Sequence, residues 1–280
     1  MRRSLDEINS QYDAASTDPW GVDWRGTMAM RNRCYIKTVV KALKQTDRTR
    51  AGIEVLDIGC GSGILTEQLF RSISQSQPVK RFLAVDVSSS AISRAKSLHP
   101  HSKIDYRTVT DNLADLDGET FDVILGFEFL AYLGSEDRQM LFERLQSLCR
   151  PSTLLFLSSN VCVGDSDRVY LATEQLEGEI AQDFACLRRR DIFMSYYVDL
   201  FEQRFMRWQH HPYFGGLIRW VLTKRSIPAL FHSVTSALSR DRWPRRRNRT
   251  LVLKCHAPQT ASMVQLAGRD ETTPGGKSAA

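Results

Sequence analysis

One short segment constrains the fold more than any other part of the chain, because it places three glycines at alternate positions directly after an apolar run. Residues 55–63 read VLDIGCGSG, and residues 64–74 that follow have the spacing of an amphipathic helix. Glycine lets the backbone turn sharply with positive φ and lets a ligand approach without meeting a Cβ atom. The segment therefore predicts a strand, a tight turn and a helix, with a ligand site at the carboxyl end of the strand.

The following hundred or so residues alternate short apolar runs with amphipathic stretches. Strands are predicted at residues 53–57, 81–86, 103–107, 121–125 and 153–157. Helices are predicted at 64–74, from Ser88 or Ser89 to 98, and at 135–149 with Ser135 as its cap. Buried strands separated by helices form parallel units with right-handed connections. The predicted fold class is a Rossmann-like, doubly wound α/β sheet, mostly parallel with an antiparallel last strand and with helices on both faces.

The chain divides into three predicted regions. Residues 1–50 form an N-terminal helical cap, with its main helix at 28–44, and residues 51–256 form the α/β domain. Residues 257–280 are rich in Ala, Thr, Gly and Pro and predict a disordered tail. Within the domain, the later patterns predict helices at 171–187 and 191–203, a strand at 204–210, a basic helical insert at about 211–249 and a last strand at 250–255.

Composition excludes several classes of protein. With 280 residues, 42% hydrophobic and 25% charged, the chain is neither collagen-like nor low-complexity nor wholly disordered. No uncharged apolar stretch approaches the roughly 20 residues needed to span a bilayer, and the polar N-terminus does not resemble a secretory signal. The 6 cysteines form no CxxC pair, which predicts reduced thiols in a cytoplasmic protein without a structural zinc site.

Two aspartates accompany the glycine turn and narrow the type of ligand. Asp57 precedes the first glycine, and Asp86 ends the second strand, where a carboxylate can accept both hydroxyls of a ribose. A dinucleotide fingerprint would need glycine at position 64, which is Ile64. The pattern DxGxGxG with an acid after the next strand resembles the class I S-adenosylmethionine-dependent methyltransferases over about residues 50–160. The resemblance implies that Asp57 helps to hold the cofactor's ammonium and that Asp86 binds its ribose diol.

The same resemblance implies a set of cofactor contacts around the carboxyl ends of the strands. They are Asp57, Gly59, Cys60, Gly61, Gly63, Asp86, Val87, Asp111, Asn112, Gly126 and Phe127. The three glycines would pack against the methionine and ribose parts, and Gly126 and Phe127 would face the acceptor. Asp111 and Asn112 would meet the adenine amino group; Asp115, Asp117 or an ordinary surface loop remain alternatives there.

A narrower resemblance involves residues near the N-terminus and after the fourth strand. Tyr12, the DPWG segment at 18–21 and the EFLAYL segment at 128–133 are similar to the nodulation-type N-methyltransferases and related small-molecule methyltransferases. This implies acceptor or lid roles for Tyr12, Trp20 and Tyr132. An equally weighted alternative is that Trp20 packs the N-terminal helix on the sheet.

Methyl transfer from a sulfonium is an in-line displacement that needs orientation and an unprotonated nucleophile. An oxygen acceptor usually needs a base, whereas an amine needs only to arrive neutral. The candidate bases are Glu128, at the mouth of the site, and the adjacent pair His210 and His211. Their alternatives are a charge at the start of a helix for Glu128 and a solvated or structural pair for the histidines. No spaced ligand cluster predicts a metal.

The basic charge is local. Residues 181–256 contain 15 Lys and Arg against 5 Asp and Glu, although the whole chain carries only +6. Residues 213–249 could form the solvated face of an amphipathic cap, a peripheral contact with the inner face of a membrane, or a grip on an anionic acceptor. Without a recognisable nucleic-acid-binding module, nucleic acid is the least favoured partner.

Together these features predict an S-adenosylmethionine-dependent methyltransferase. Its expected acceptor is an oxygen or nitrogen atom of a small molecule or saccharide, with anionic and lipid-linked acceptors left open. Two alternatives remain: an RNA or protein methyltransferase, and a non-catalytic Rossmann-like partner protein that binds the cofactor.

Overall fold

The computed structural model describes residues 5–14, 26–46, 52–162, 171–192, 211–217 and 246–255. Several predicted features lie outside these residues. They are Trp20, His210, the strand at 204–210, most of the basic insert and the tail at 257–280. The division into cap, domain and tail therefore stays a prediction.

A single mixed sheet organises the described residues. Its strands are β1 (Ile53–Ile58), β2 (Val79–Asp86), β3 (Asp105–Thr108), β4 (Phe121–Phe127), β5 (Cys149–Cys162), β6 (Leu171–Ala172), β7 (Phe184–Ile192) and β8 (Arg246–Cys255). The strand order is β3-β2-β1-β4-β5-β8-β7, with β6 paired to the end of β5. Strands β1 to β5 pair in parallel, and β8 is antiparallel to both β5 and β7. The predicted fold class is confirmed.

Helices cover both faces of this sheet. They are α1 (Leu5–Ala14), α2 (Gly26–Lys44), α3 (Ile64–Ser74), α4 (Ser89–Leu98), α5 (Ser135–Ser147) and α6 (Thr173–Ala181), with short 3-10 turns at Ala114–Leu116 and Leu130–Tyr132. One apolar core contains residues of α2, α3 and α4, and the other contains residues of α5 and α6. Successive residues of β1, such as Val55 and Leu56, belong to opposite cores because strand side chains alternate between faces.

Two helix boundaries show how the local sequence sets the ends. Helix α4 is capped by Ser88, whose Oγ accepts the Ala91 N–H at 3.0 Å, which is one of the two predicted caps. Helix α5 begins at Ser135 as predicted, but its cap is Gly134, and it ends at Ser147 rather than at residue 149. The shorter end follows because Cys149 already pairs with Phe121 in the sheet.

The largest correction concerns the residues after β5. Of the helix predicted at 171–187, only Thr173–Ala181 is helical, and Phe184–Ile192 forms the edge strand β7. This strand spans the boundary between the helices predicted at 171–187 and 191–203, and it exists because it pairs with β8. The last strand begins at Arg246 rather than at 250, so it includes residues assigned to the insert. Among the described helices, none has the length and apolar character to cross a bilayer.

Candidate functional site

The glycine turn lies between β1 and α3, at the carboxyl end of the sheet. Gly59, Gly61 and Gly63 have φ angles of +72°, +55° and +76°, a region that favours glycine. The backbone N–H groups of Gly59 and Cys60 donate to the Val85 carbonyl at 2.8 and 3.1 Å, which ties the turn to the end of β2. The turn conformation expected from the sequence is thus present, and Gly63 is the residue from which α3 starts.

Side chains of the protein itself pack against all three glycines. A Cβ atom on Gly61 would lie 2.6 Å from the Tyr12 hydroxyl, and one on Gly63 would lie 2.7 Å from the Tyr106 hydroxyl. At Gly59 the nearest atom is on the Phe129 ring, at 3.3 Å. The absence of a Cβ at these positions is therefore required by internal packing as well as by the backbone angles.

Asp86 turns its carboxylate toward the glycine turn. One oxygen accepts the Gly61 N–H at 2.8 Å, and the other accepts the Ser88 N–H at 2.9 Å. Burial raises the pKa of Asp86 from its ordinary value, whereas the backbone donors oppose this rise. A carboxylate offers about four lone-pair positions, so these two bonds leave capacity for a diol. Val87, the next residue, is half-buried.

Asp57 is the most deeply buried acid of the site. Its side chain is 3% exposed, and one oxygen accepts the Thr66 hydroxyl at 2.7 Å. Burial raises the pKa of Asp57 to about 7, the Thr66 bond opposes the rise, and the nearby Asp86 adds to it. Burial also raises the pKa of the adjacent Cys60 thiol. An acid in this state is poised to accept a cationic group, which would restore its ionised form.

Helix α1 lies over the glycine turn. The Ser88 hydroxyl donates to Asn9 Oδ1 at 2.6 Å, and the Arg94 guanidinium donates to the Tyr12 carbonyl at 2.7 Å. The Tyr12 side chain is 4% exposed and reaches Gly61. The structure therefore places Tyr12, a predicted acceptor or lid residue, directly above the turn.

The loop after β3 reaches the same edge of the sheet, because Val109 N–H donates to the Asp86 carbonyl at 3.1 Å. Asn112 and Asp115 brace this loop: Asn112 accepts the Ala114 N–H at 3.0 Å, and Asp115 accepts the Thr110 N–H at 2.7 Å. Of the other candidates, Asp111 is exposed and Asp117 forms an ion pair with Arg144 at 2.6 Å. An adenine contact from this loop stays a prediction.

The end of β4 is tightly packed. A Cβ on Gly126 would lie 2.8 Å from the Phe129 ring and 2.9 Å from Leu157. Phe127 is 7% exposed and stacks on the Tyr35 ring, with centroids 4.6 Å apart. Phe127 is thus largely occupied with the core, and contacts of Gly126 and Phe127 with a cofactor or an acceptor stay predictions.

Glu128 gathers side chains from three other elements. Arg31 of α2 donates to Oε2 at 2.8 Å, and Ser158 of β5 donates to Oε1 at 2.9 Å. Tyr35 of α2 and Asn248 of β8 also donate to Oε1. The backbone of Glu128 has a φ of +69°, unusual for a residue with a side chain.

These four partners of Glu128 were not foreseen from the sequence. Tyr35 and Asn248 are 213 positions apart, and no local motif connects them. The one available signal is that the sequence of α2 has an amphipathic pattern, with polar residues at one end of the face that is buried. Burial raises the pKa of Tyr35 well above its ordinary value, and the Glu128 carboxylate adds to this.

The remaining predicted residues are less central. Tyr132 is half-buried at the end of a 3-10 turn, and His211 is exposed and packs against Phe214 with ring centroids 5.4 Å apart. Two arginines of the basic region are engaged internally, whereas Arg188 and Arg189 are exposed. Arg249, 8% exposed, pairs with Asp191 at 2.7 Å and with Glu177. Arg190 donates to the Thr38 hydroxyl at 3.0 Å.

Within the described ranges, no group of three or more His, Cys, Asp or Glu side chains could hold a metal ion. All 6 cysteines are free thiols. A groove of about 470 Å³ beside Phe70, Arg71 and His101 lies near the amino ends of β2 and β3, away from the glycine turn.

Residues 56–155 match the model of a family described as "Methyltransferase domain". A ubiquinone biosynthesis O-methyltransferase of Rhizobium leguminosarum bv. trifolii (strain WSM2304) is 31% identical over 116 residues, which are 40% of this chain and 42% of that protein. The chain thus matches about two fifths of that relative's length. An N-demethylindolmycin N-methyltransferase of Streptomyces griseus is 27% identical over 165 residues, 54% of this chain and 67% of that protein.

Among solved structures, the N-methyltransferase NodS from Bradyrhizobium japonicum WM9, in complex with S-adenosyl-L-homocysteine, has a TM-score of 0.59 at 14% identity. The match covers 91% of this chain and 100% of that one. At this level of identity, the likeness shows a shared fold.

Proposed function

We propose that this chain transfers a methyl group from S-adenosylmethionine to a small-molecule acceptor, because residues 56–155 match a methyltransferase-domain model and the fold is the one that the motifs predict. The observation that carries the proposal is the pair of carboxylates, buried Asp57 and half-buried Asp86, on either side of a glycine turn with three positive φ angles. This arrangement supplies an acceptor for a diol beside an acceptor for an ammonium, which fits the two polar ends of the cofactor.

The residues present would divide the cofactor between them. Asp86, with Val87 beside it, would bind the ribose, and Asp57 would hold the ammonium directly or through water. The loop containing Asp111 and Asn112 would border the adenine. The glycine turn, including Cys60, would run along the ribose and methionine parts, whose far end would lie at Gly126 and Phe127.

When bound, the cofactor supplies an activated methyl carbon, which forms a bond to the acceptor as the carbon–sulfur bond breaks. The chain's own contribution is orientation and exclusion of water. Such positioning contributes on the order of 7–11 kcal/mol to lowering the barrier. Tyr12, already above the turn, would close the site together with Trp20, and Tyr132 would line the acceptor side.

The acceptor is proposed to be an oxygen or nitrogen atom of a small molecule. The two curated relatives, one named for O-methylation and one for N-methylation, support that class without choosing between the two atoms. Glu128, His210 and His211 remain the candidates for contact with the acceptor's reacting group. Three further points stay predictions: a saccharide, anionic or lipid-linked acceptor, membrane contact through 213–249, and a cytoplasmic location.

An RNA target is less well supported than a small molecule. The arginines that would form a nucleic-acid surface include Arg249, which is engaged by Asp191 and Glu177 inside the protein. Contacts of this kind remove the positive charge that phosphate recognition would use.

Calorimetric titration with S-adenosylmethionine tests the proposal. The wild-type protein is expected to bind at micromolar concentration and to melt at a higher temperature with cofactor, while Asp86→Ala loses both effects. Asp105→Ala, which removes an exposed acid of the neighbouring strand β3, is the matched control and should bind normally. Absence of binding and of a thermal shift at millimolar cofactor would refute the proposed function.

A further inference from the structure

Glu128 is held in a backbone conformation that its own residue type disfavours. Its φ of +69° lies in the left-handed region, which is unfavourable for a residue with a Cβ. The conformation is maintained because the Glu128 N–H donates to the Ser158 carbonyl and hydroxyl, both at 3.2 Å. Strained residues kept by several contacts are concentrated at functional sites, so the geometry at the end of β4 calls for an explanation.

This backbone conformation brings the Glu128 carboxylate into a cluster of hydrogen-bond donors. One of its oxygens, Oε1, already accepts as many hydrogen bonds as it can. Oε1 accepts hydrogen bonds from Tyr35, Ser158 and Asn248. A carboxylate oxygen has two lone pairs, so three donors leave no room on Oε1. Tyr35 and Asn248 are both 0% exposed, and Tyr35 is fixed further by its stacking on Phe127.

The other oxygen keeps one lone pair. Among the described residues, Oε2 accepts a bond from Arg31 alone, at 2.8 Å. The Arg31 side chain is 9% exposed and that of Glu128 is 20% exposed, so the ion pair is partly open on the Glu128 side. One acceptor position on Oε2 therefore remains, at the carboxyl edge of the sheet and beside the expected methyl-transfer site.

The number of hydrogen-bond donors around each oxygen of Glu128 argues against proton abstraction by this carboxylate. A proton could only settle on Oε2, next to the positive charge of Arg31, because Oε1 is already surrounded by donors. The carboxylate is better suited to accept a hydrogen bond and keep its charge. An acceptor molecule bound in this way must offer an N–H or O–H group, and its lone pair is then aligned by that bond.

We propose that Glu128 Oε2 receives the N–H or O–H of the methyl acceptor, and that Arg31, Tyr35, Ser158 and Asn248 are positioning residues that leave this one lone pair available. The inference rests on the proposed function, whose acceptor class it narrows to molecules with a hydrogen-bond donor at the reacting atom. It assigns to α2, which supplies Arg31 and Tyr35, and to β8, which supplies Asn248, the task of holding the Glu128 carboxylate in place.

Binding of matched probe pairs tests the proposal without any turnover. The probes are phenol with its methyl ether anisole, and aniline with N,N-dimethylaniline, at millimolar concentration. Their dissociation constants are measured by ligand-observed NMR on the full chain in the presence of S-adenosylhomocysteine. At least one donor-bearing probe is expected to bind the wild type about tenfold more tightly than its methylated counterpart, as expected for one bond to a charged acceptor.

Two variants separate positioning from simple structural support. Glu128→Gln should abolish the preference for the donor-bearing probe. Tyr35→Phe keeps the ring on Phe127 but removes one donor, and should reduce the preference about threefold. Glu143→Gln alters an exposed side chain and is the matched control. Thermal melts identify any variant that is unfolded, in which case the other variant decides.

The outcomes distinguish this inference from the function on which it rests. Wild-type protein that fails to bind S-adenosylhomocysteine removes the proposed function; the probes are then measured on the free protein, and their preference still decides the inference. If the cofactor binds normally, any of three results overturns the role of Glu128 alone. They are equal affinity for both members of each pair, no probe binding, or an unchanged preference in Glu128→Gln.

Discussion

Replacing Asp57 by asparagine should make the cofactor-free protein more stable at neutral pH while impairing cofactor binding. Asp57 is buried, and its pKa is raised from 3.8 to about 7. Between those two pH values the folded state holds a proton that the unfolded state has lost. The contribution of Asp57 to stability therefore falls as pH rises from about 4 to 7, and it is constant above that range.

The size of this effect follows from the shift. A shift of about three pKa units corresponds to about 4 kcal/mol lost at pH values above the folded pKa. At pH 5 less than half of this loss has occurred, so the interval from pH 5 to pH 8 accounts for most of the remainder. Asparagine does not ionise, and its amide oxygen can still accept the Thr66 hydroxyl.

Urea unfolding of wild type and Asp57→Asn at pH 5 and pH 8, without cofactor, measures the effect. The variant is expected to gain stability relative to wild type by about 2–3 kcal/mol between the two pH values. Asp86 also has a raised pKa, but it is present in both proteins, so the difference between them isolates Asp57. An equal pH dependence in the two proteins would refute the assignment of a buried, proton-holding Asp57.

Cofactor binding should respond in the opposite direction. If the ammonium of S-adenosylmethionine meets the Asp57 carboxylate, binding to wild type strengthens as pH rises from 5 to 7, because the acid must ionise to form the pair. Asp57→Asn should bind weakly at both pH values by calorimetry. Binding that is unaffected by the substitution would place the ammonium elsewhere.

Three further substitutions probe the frame around the site. Gly61→Ala combines a φ of +55° with a Cβ 2.6 Å from the Tyr12 hydroxyl, and should lower the free energy of unfolding by at least about 1–2 kcal/mol. Adding Tyr12→Phe should recover part of this loss, because it removes the hydroxyl that the new Cβ meets. No recovery would exclude the steric explanation. Ser88→Ala removes the α4 cap and the bond to Asn9, and should cost about 1 kcal/mol in urea unfolding and increase hydrogen exchange in α1; unchanged exchange would show that α1 is held by other contacts. Arg249→Ala leaves Asp191 and Glu177 without their shared cation and should lower the urea midpoint by the equivalent of about 2 kcal/mol; an unchanged midpoint would show that the pairs are not stabilising.

The parts of the fold that were predictable are those in which local pattern and tertiary role agree. Helix α3 was predicted with its observed bounds, because a glycine turn defines its start and its apolar spacing faces the sheet. Strand β7 was missed, because residues 184–187 and 191–192 were assigned to two predicted helices and only pairing with β8 makes the segment a strand. Such pairing cannot be deduced from residues 184–192 alone.

The candidate site also contains a part that could be predicted from the sequence and a part that could not. Asp57, Asp86 and the glycines lie within one motif and the next strand, so their proximity could be inferred from the βα topology. The surroundings of Glu128 could not, because Tyr35 and Asn248 come from opposite ends of the chain and meet at β4 only in the folded protein. A sequence pattern identified the acid but not the cluster that determines what the acid can do.

Strand β8 lies between β5 and β7 although it follows both in the chain, and this placement has a consequence for biosynthesis. Among the described strands, β7 pairs with β8 alone, so on a ribosome this pairing must wait until residues 246–255 have been made. Contacts between such distant segments form late and slowly. Asn248 arrives on that same strand, so a nascent chain could form the glycine turn before it could complete the cluster around Glu128.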